Sequence, residues 1–278
     1  MRVGYLGPPG TFSEEAVARC DLAAGGEAVP FPSFRDAYRA LARGEVDGAL
    51  LPIENSIEGS VGATLDLLVL EHGPLIRREL LLPVRQHLLA PTGTRLEDVV
   101  RVLSHPQPLG QCSRFLHERL PRAALEPTHS TADAARKVAA GERGAAAIGS
   151  KTAAARYGLA VLAESIQDVD ENFTRFVLLA QADEAPTGND RTSIAFTLDR
   201  DRPGGLYEVL GEFASRGINL SKVESRPMKE ALGHYVFFLD FEAHRLEAAA
   251  ADALARVRSR VHRLYLLGSY PRAAAPAA

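Results

Sequence analysis

A chain of 278 residues exceeds the size at which one hydrophobic core stops growing, so two domains are expected, and a 46% hydrophobic fraction can fill both. Charged residues make up 24%, both signs are dispersed and the net charge is −3, which argues against nucleic acid or an anionic membrane as partner. Cys20 and Cys112 fit neither a disulfide framework nor zinc spacing, and Met1 runs straight into a strand-like stretch with no leader, so a reduced, cytoplasmic setting is expected.

Arg2 to Leu6 predicts a strand, Gly7 to Gly10 a turn, and Ser13 to Ala24 a helix opened by Thr11 and Glu14 at capping-box spacing. Strand Glu27 to Phe31, helix Ser33 to Arg43 closed by Gly44, and strand Val46 to Leu51 repeat the cycle. This βαβαβ order predicts an open, mostly parallel sheet. After a crossing region, Ile76 to Pro91, come strand Val100 to Leu103, helix Pro108 to Leu120, strand Arg122 to Glu126, helix Ser130 to Ala140, strand Ala145 to Ile148 and helix Lys151 to Tyr157. Strands Leu159 to Ser165 and Phe173 to Ala180 close the region. Two α/β lobes joined by crossing strands predict a bilobal, periplasmic-binding-protein-like architecture with a ligand cleft between lobes. The region spans 1–181, one lobe being about 1–77 with 165–181 and the other 78–164.

The turn-forming stretch 182–190, ADEAPTGND, predicts a linker. Residues 191–270 then read as strand Arg191 to Leu198, helix Gly204 to Arg216, strand Ile218 to Ser225, strand His234 to Phe241, helix Leu246 to Arg258 and strand Val261 to Leu267. That β-α-β-β-α-β order is an α+β, ferredoxin-like unit, with Leu206, Val209, Leu210 and Phe213 on one buried helix face. Residues 271–278, PRAAAPAA, are expected to be disordered.

HExxH, GxSxG and GxGxxG are absent, and Ser150 interrupts the nearest approach to a phosphate loop, Gly144 to Thr152. The histidines lack ligand spacing, so neither metal nor cofactor is expected. Chemistry must then come from hydrogen bonds, a few charges and the shape of a cleft. GPPGTFS, Gly7 to Ser13, lies between strand and helix, where free N–H groups favour a carboxylate; a simple tight turn capped by Thr11 is the structural alternative. Glu54, Asn55, Ser56 and Ser60 sit in a polar knot at a strand's carboxyl end, where α/β sheets place ligands and where serines also cap helices. Ser104 and His105 precede a helix in which Gln111 stands off the buried stripe of Leu109, Cys112 and Leu116. In Phe173-Thr174-Arg175-Phe176, strand alternation puts Thr174 and Phe176 on one face, and Arg175 offers a planar fork to a carboxylate or to a salt bridge with Asp168, Asp170 or Glu171.

In this order, GPPGTFS, PIENSIEGSV, SHPQPLGQC, STADAA, AAIGSKTAA and FTRF, followed by GGLYEVL and ESRP, resemble prephenate dehydratase with a C-terminal ACT domain, over roughly Met1 to Leu267. The resemblance implies decarboxylating dehydration of prephenate to phenylpyruvate on the route to phenylalanine. It maps catalysis onto Thr174, Asn55, Ser104 and Gln111, and substrate binding onto Thr11, Ser13, Glu54, Ser56, Arg175 and Phe176. It also implies L-phenylalanine as effector between the ACT domains of a homodimer or homotetramer, near Gly204, Gly205, Leu206 and Glu224, Ser225, Arg226, Pro227. Gly205 stands where the family pattern usually has alanine. A threonine hydroxyl is a poor acid, so Thr174 is expected to act as a preorganised donor to the departing oxygen. Arogenate dehydratase, which eliminates from the transaminated analogue, and a non-catalytic amino-acid sensor are the rival readings.

Overall fold

The computed structural model describes residues 1–71, 73–141, 143–198, 203–228 and 235–274. The chain divides into two compact units, Met1–Val61 with Leu81–Phe176, and Gly62–Leu80 with Val177–Ala275.

The first unit opens with β1 (Arg2–Leu6), α1 (Phe12–Arg19), β2 (Glu27–Phe31), α2 (Phe34–Ala42), β3 (Gly48–Asn55) and the short β4 (Gly59–Ser60). Thr11 caps α1 by accepting from the Glu14 N–H, but the Glu14 carboxylate accepts from Gly10 N–H at 2.6 Å instead of closing a capping box. The helix stops at Arg19, and Asp21–Ala23 forms a separate 3-10 turn, so it is shorter than its periodicity predicts. Ser33 caps α2, a bond worth about 1 kcal/mol. Next along the chain lie α3 (Gly62–Leu70), β5 (Leu75–Pro83), β6 (His87–Ala90), β7 (Arg101–Ser104), α4 (Pro106–Gln111) and α5 (Ser113–Arg119). The single helix expected over Pro108 to Leu120 is thus two. It begins earlier, because proline suits a first turn and His105 caps it, and it breaks at Cys112, whose φ of −114° and ψ of 20° leave the helical region. Then come β8 (Ala124–Pro127), α6 (Thr131–Ala139), β9 (Ala145–Gly149), α7 (Lys151–Tyr157), β10 (Ala160–Ala163) and β11 (Phe173–Ala180).

Two sheets organise this stretch, in the orders β2-β1-β3-β11-β5 and β10-β6-β9-β7-β8, with β4 beside β3. β1 is parallel to β2 and β3, and β7 is parallel to β8 and β9, as the alternating strand–helix pattern predicts. Small residues let helices close on the second sheet: Ala134, Ala135, Val138 and Ala153 pack on Ala145 and Ala147, while Cys112 and Leu116 pack on Val102 and Ile148 across the other face.

The second unit carries β12 (Asp190–Thr197), α8 (Gly205–Ala214), β13 (Leu220–Pro227), β14 (Tyr235–Phe241), α9 (Ala248–Arg258) and β15 (Arg263–Pro271). Its antiparallel sheet has the order β13-β14-β12-β15, the ferredoxin-like arrangement. Ile194, Phe196, Leu239 and Phe241 face Val209 and Phe213 of α8 and Ala253 and Val257 of α9. Each large side chain so buried contributes about 1.5–3 kcal/mol. The C-terminal stretch is more ordered than its composition suggests: Pro271 ends β15, and the N–H groups of Arg272 and Ala273 donate to Asn189 O and the Glu79 carboxylate. Residues 275–278 of the expected tail, and His234 of the expected strand, lie outside the described residues.

Candidate active site

At the carboxyl end of β3, Asn55 bonds in two directions. Its Oδ1 accepts from the N–H groups of Ile57 and Glu58, each at 3.0 Å, which fixes the turn into β4. Its Nδ2 donates to Asn172 Oδ1 at 2.8 Å, Phe173 O at 3.2 Å and Thr174 Oγ1 at 3.0 Å. Because the Thr174 oxygen accepts from Asn55, its own hydrogen remains to be given elsewhere. Asn172 Nδ2 reaches Gln111 Oε1 at 3.5 Å, and Gln111 Nε2 reaches Glu58 Oε1 at 3.4 Å. These long bonds tie the start of β11 to α4.

Thr174, Asn55 and Gln111 line a cavity of about 240 Å³ with Thr11, Ser13, Gln86, His105, His129, Ser130 and Asn172. Thr11 and Ser130 are the N-caps of α1 and α6, so two helix N-termini border the space. A second cavity, about 540 Å³, shares Gln107, Gln111 and Asn172 and adds Glu58 and Asp168. Gly10, at φ +93°, makes the turn before α1 possible: a Cβ there would meet the Tyr157 ring at 2.9 Å. Among the described residues, the first cavity's lining contains no carboxylate, lysine or arginine. It is a hydrogen-bonding surface that can receive an anion without repulsion from a carboxylate. Cys112 is no nucleophile, since burial pushes its thiol up to about 12.

Other expected site residues stand apart from this cavity. Ser104 is fully buried, and its Oγ donates to Ile148 O at 2.9 Å, a bond between neighbouring segments. Phe176 shares a strand face with Thr174 but lies deeper, in the core. Ser56 Oγ accepts from Phe173 N–H at 3.0 Å and donates to Glu171 O at 3.3 Å, so it anchors β11. Arg175, on the opposite face from Thr174, is buried with Nη1 3.7 Å from Glu54 Oε2. The acid beside it is therefore Glu54, whereas Asp168 accepts from Ser113 Oγ and Arg114 N–H, and Asp170 is 3.9 Å from Arg85.

Asn172, Gln86, Gln107 and the His129 to Thr131 turn escaped sequence reasoning. STADAA pointed to the last of these; Asn172 showed itself only as the neighbour of FTRF. Gln86 Oε1 and Gln167 Nε2 are buried with no hydrogen-bond partner among the described residues, although Gln167 Oε1 accepts from Gln86 N–H at 3.0 Å. Among the described residues, no three His, Cys, Asp or Glu side chains gather as metal ligands would.

In the second unit, Gly204, at φ +85°, precedes α8, and Gly205 and Leu206 begin it. Along β13, Glu224 Oε2 is 3.1 Å from Lys222 Nζ and Glu224 Oε1 is 3.7 Å from Arg226 Nη1, with Ser225 and Pro227 turned outward.

The family model for prephenate dehydratase matches residues 3–184, and that for the ACT domain matches residues 192–259. A prephenate dehydratase of Amycolatopsis methanolica is 43% identical over 98% of this chain and 89% of its own. Arogenate dehydratase 2 of Petunia hybrida is 42% identical over 98% of this chain and 72% of its own. A solved prephenate dehydratase of Arthrobacter aurescens in complex with L-Phe superposes with a TM-score of 0.91 at 39% identity, covering 98% of this chain and 90% of that one. The chain belongs to the prephenate dehydratase family, hydro-lyases, and carries an ACT domain at its C-terminal end.

Proposed function

We propose that the cavity around Thr174 is where this prephenate dehydratase holds its substrate, and that Thr174 acts on the leaving oxygen. In the reaction the electron pair of the bond to the ring carboxylate moves into the ring as the 4-hydroxyl departs and takes up one proton, ultimately from solvent, releasing CO2 and water and leaving phenylpyruvate. Aromatisation drives the step, so the protein's task is to orient the substrate and stabilise negative charge growing on the departing oxygen. One observation carries the assignment: Asn55 Nδ2 donates to Thr174 Oγ1 at 3.0 Å, which leaves the hydroxyl hydrogen for that oxygen. Gln111 and Asn172 border the same cavity as side-chain amide donors, and the α1 and α6 N-termini suit the substrate's carboxylates.

Incubation with prephenate, with no metal or cofactor added, is expected to yield phenylpyruvate well above the spontaneous rate. A rate equal to the spontaneous one, in folded protein, would remove the activity. The arogenate dehydratase relative supports a second reading, decided by kcat/KM on both substrates.

L-phenylalanine is the effector this reading assigns to the ACT domain, supported by the bound L-Phe of the Arthrobacter aurescens protein. An effector held between paired ACT domains requires a homodimer at least, and a homotetramer satisfies the same demand. A cytoplasmic setting belongs to the same reading, supported by two cysteines that are both free and buried; no helix among the described residues is long and apolar enough to cross a membrane.

A further inference from the structure

Helix α3 lies inside the stretch matched to prephenate dehydratase, yet it packs in the unit that carries the ACT domain. Its Asp66, Val69 and Leu70 border a small cavity with Arg226, Val236 and Phe238. Val236 and Phe238 alternate with Phe237 and Leu239, so α3 covers the sheet face opposite α8 and α9.

The contact centres on Arg226. Its Nε lies 3.4 Å from Asp66 Oδ1 on α3, and its Nη1 lies 3.7 Å from Glu224 Oε1 on its own strand. Gly62, the first residue of α3, leaves room for the guanidinium: a Cβ there would overlap Nη2 and stand 2.7 Å from Cζ. Upstream the chain is held just as closely. Val61 N–H donates to Ile53 O at 2.9 Å, and Ser60 and Gly59 pair with Glu54 and Asn55. Six residues therefore separate Asn55, the partner of Thr174, from the glycine under Arg226.

We propose that Arg226, Asp66 and Gly62 form a pin by which the Glu224 to Pro227 segment sets the start of α3, and through the continuous chain from Gly62 back to Asn55, the donor at Thr174. Arg226 is shared between Glu224 and Asp66. An amino-acid effector brings an ammonium that competes for Glu224 and a carboxylate that competes for Arg226, so its arrival redistributes the pair with Asp66. Coupling of distant sites needs such an element, whose balance both sites bias. The regulatory half of this inference rests on the phenylalanine reading above.

The test uses the full chain with Asp66→Asn, which removes the charge and keeps the shape, and Gly62→Ala, which fills the seat of the guanidinium. Initial rates are measured against L-phenylalanine, binding of L-phenylalanine by calorimetry, and amide hydrogen exchange over residues 53–70. In both variants the rate without effector is expected within about twofold of wild type, phenylalanine still to bind, its half-effect concentration to rise about tenfold or more, and the amides of Gly62 to Asp66 to exchange faster. Wild-type response curves in both variants would overturn the pin as the coupling element. If the wild-type enzyme ignores phenylalanine, the effector reading fails by itself and exchange alone decides: unchanged protection in both variants overturns the pin, and faster exchange upholds its positioning role.

Discussion

At Thr174 the hydroxyl oxygen accepts from Asn55, and in the proposed function its hydrogen is given to the substrate. Thr174→Val retains the shape and deletes that hydrogen, so kcat is expected to fall about 100- to 1,000-fold with KM little changed, the signature of a donor used mainly in the transition state. Steady-state phenylpyruvate formation measures it, and a kcat near wild type removes the role. Ser104 gives the contrasting case. Its motif suggests chemistry, but its hydroxyl is sealed against Ile148 O, so Ser104→Ala is expected to cost about 1 kcal/mol in urea unfolding while kcat/KM stays within a few-fold. Loss of activity without loss of stability would return Ser104 to the catalytic group. That Thr174, Asn55 and Gln111 would line one cavity was legible because polar residues at strand ends and helix starts have few local reasons to be there. Asn172 and Gln86 were not, because what they face is decided by segments far away in the chain.

Among the elements that the sequence analysis named, strand and helix types were legible, and limits were clearest where capping chemistry is local, as at Ser33, Ser130 and Ser150, whereas β4 and α3 were given no range. The break between α4 and α5 was hidden because Leu109, Cys112 and Leu116 keep helical spacing through it, and spacing alone does not report one residue's φ and ψ. The junction of β6 and β10 carries a pH consequence. His87 Nδ1 accepts from Ser165 N–H at 3.2 Å, and Ser165 holds φ +49°, so the bond secures an unfavourable backbone turn. Burial, then the nearby charge of Lys151, lowers the His87 pKa below its ordinary 6.5, with Glu164 working in the opposite direction. The unfolded chain therefore binds this proton more readily than the folded one. Stability is full above about pH 6.5 and falls as the pH drops toward the lower, folded value. Thermal melting from pH 8 to 5 is expected to show this decline, and His87→Asn, whose side-chain oxygen can still accept from Ser165 but cannot titrate, is expected to flatten it. An equal slope in the variant would place the acid sensitivity elsewhere.

For the whole molecule, length and the change of element order after residue 181 point to two domains joined by a linker over 182–190. A boundary near residue 190 follows the order of elements in the chain, whereas the second unit also claims Gly62–Leu80. The sequence GATLDLLVL of α3 is apolar on nearly every side, which predicts burial without naming a partner. What it covers is the second face of the antiparallel sheet. There β5 adds Glu79, whose buried carboxylate pairs with Arg191 at 2.5 Å, while Arg77 and Arg78 hold Glu184 at 3.1 and 2.6 Å. A fragment of residues 182–278 would keep the core between the sheet and α8 and α9, expose Val236 and Phe238, and strip Arg191 and Glu184 of their partners. Losing these ion pairs together with the apolar cover over Val236 and Phe238 removes a large share of the stability of a domain this size. The isolated fragment is therefore expected to bind a hydrophobic dye and to melt without a sharp transition, as followed by circular dichroism. A cooperative melt at the temperature of the full chain would mean that α3 and β5 are passengers on this sheet; a diffuse one would mean that the unit carrying the ACT domain is built partly from residues inside the dehydratase match.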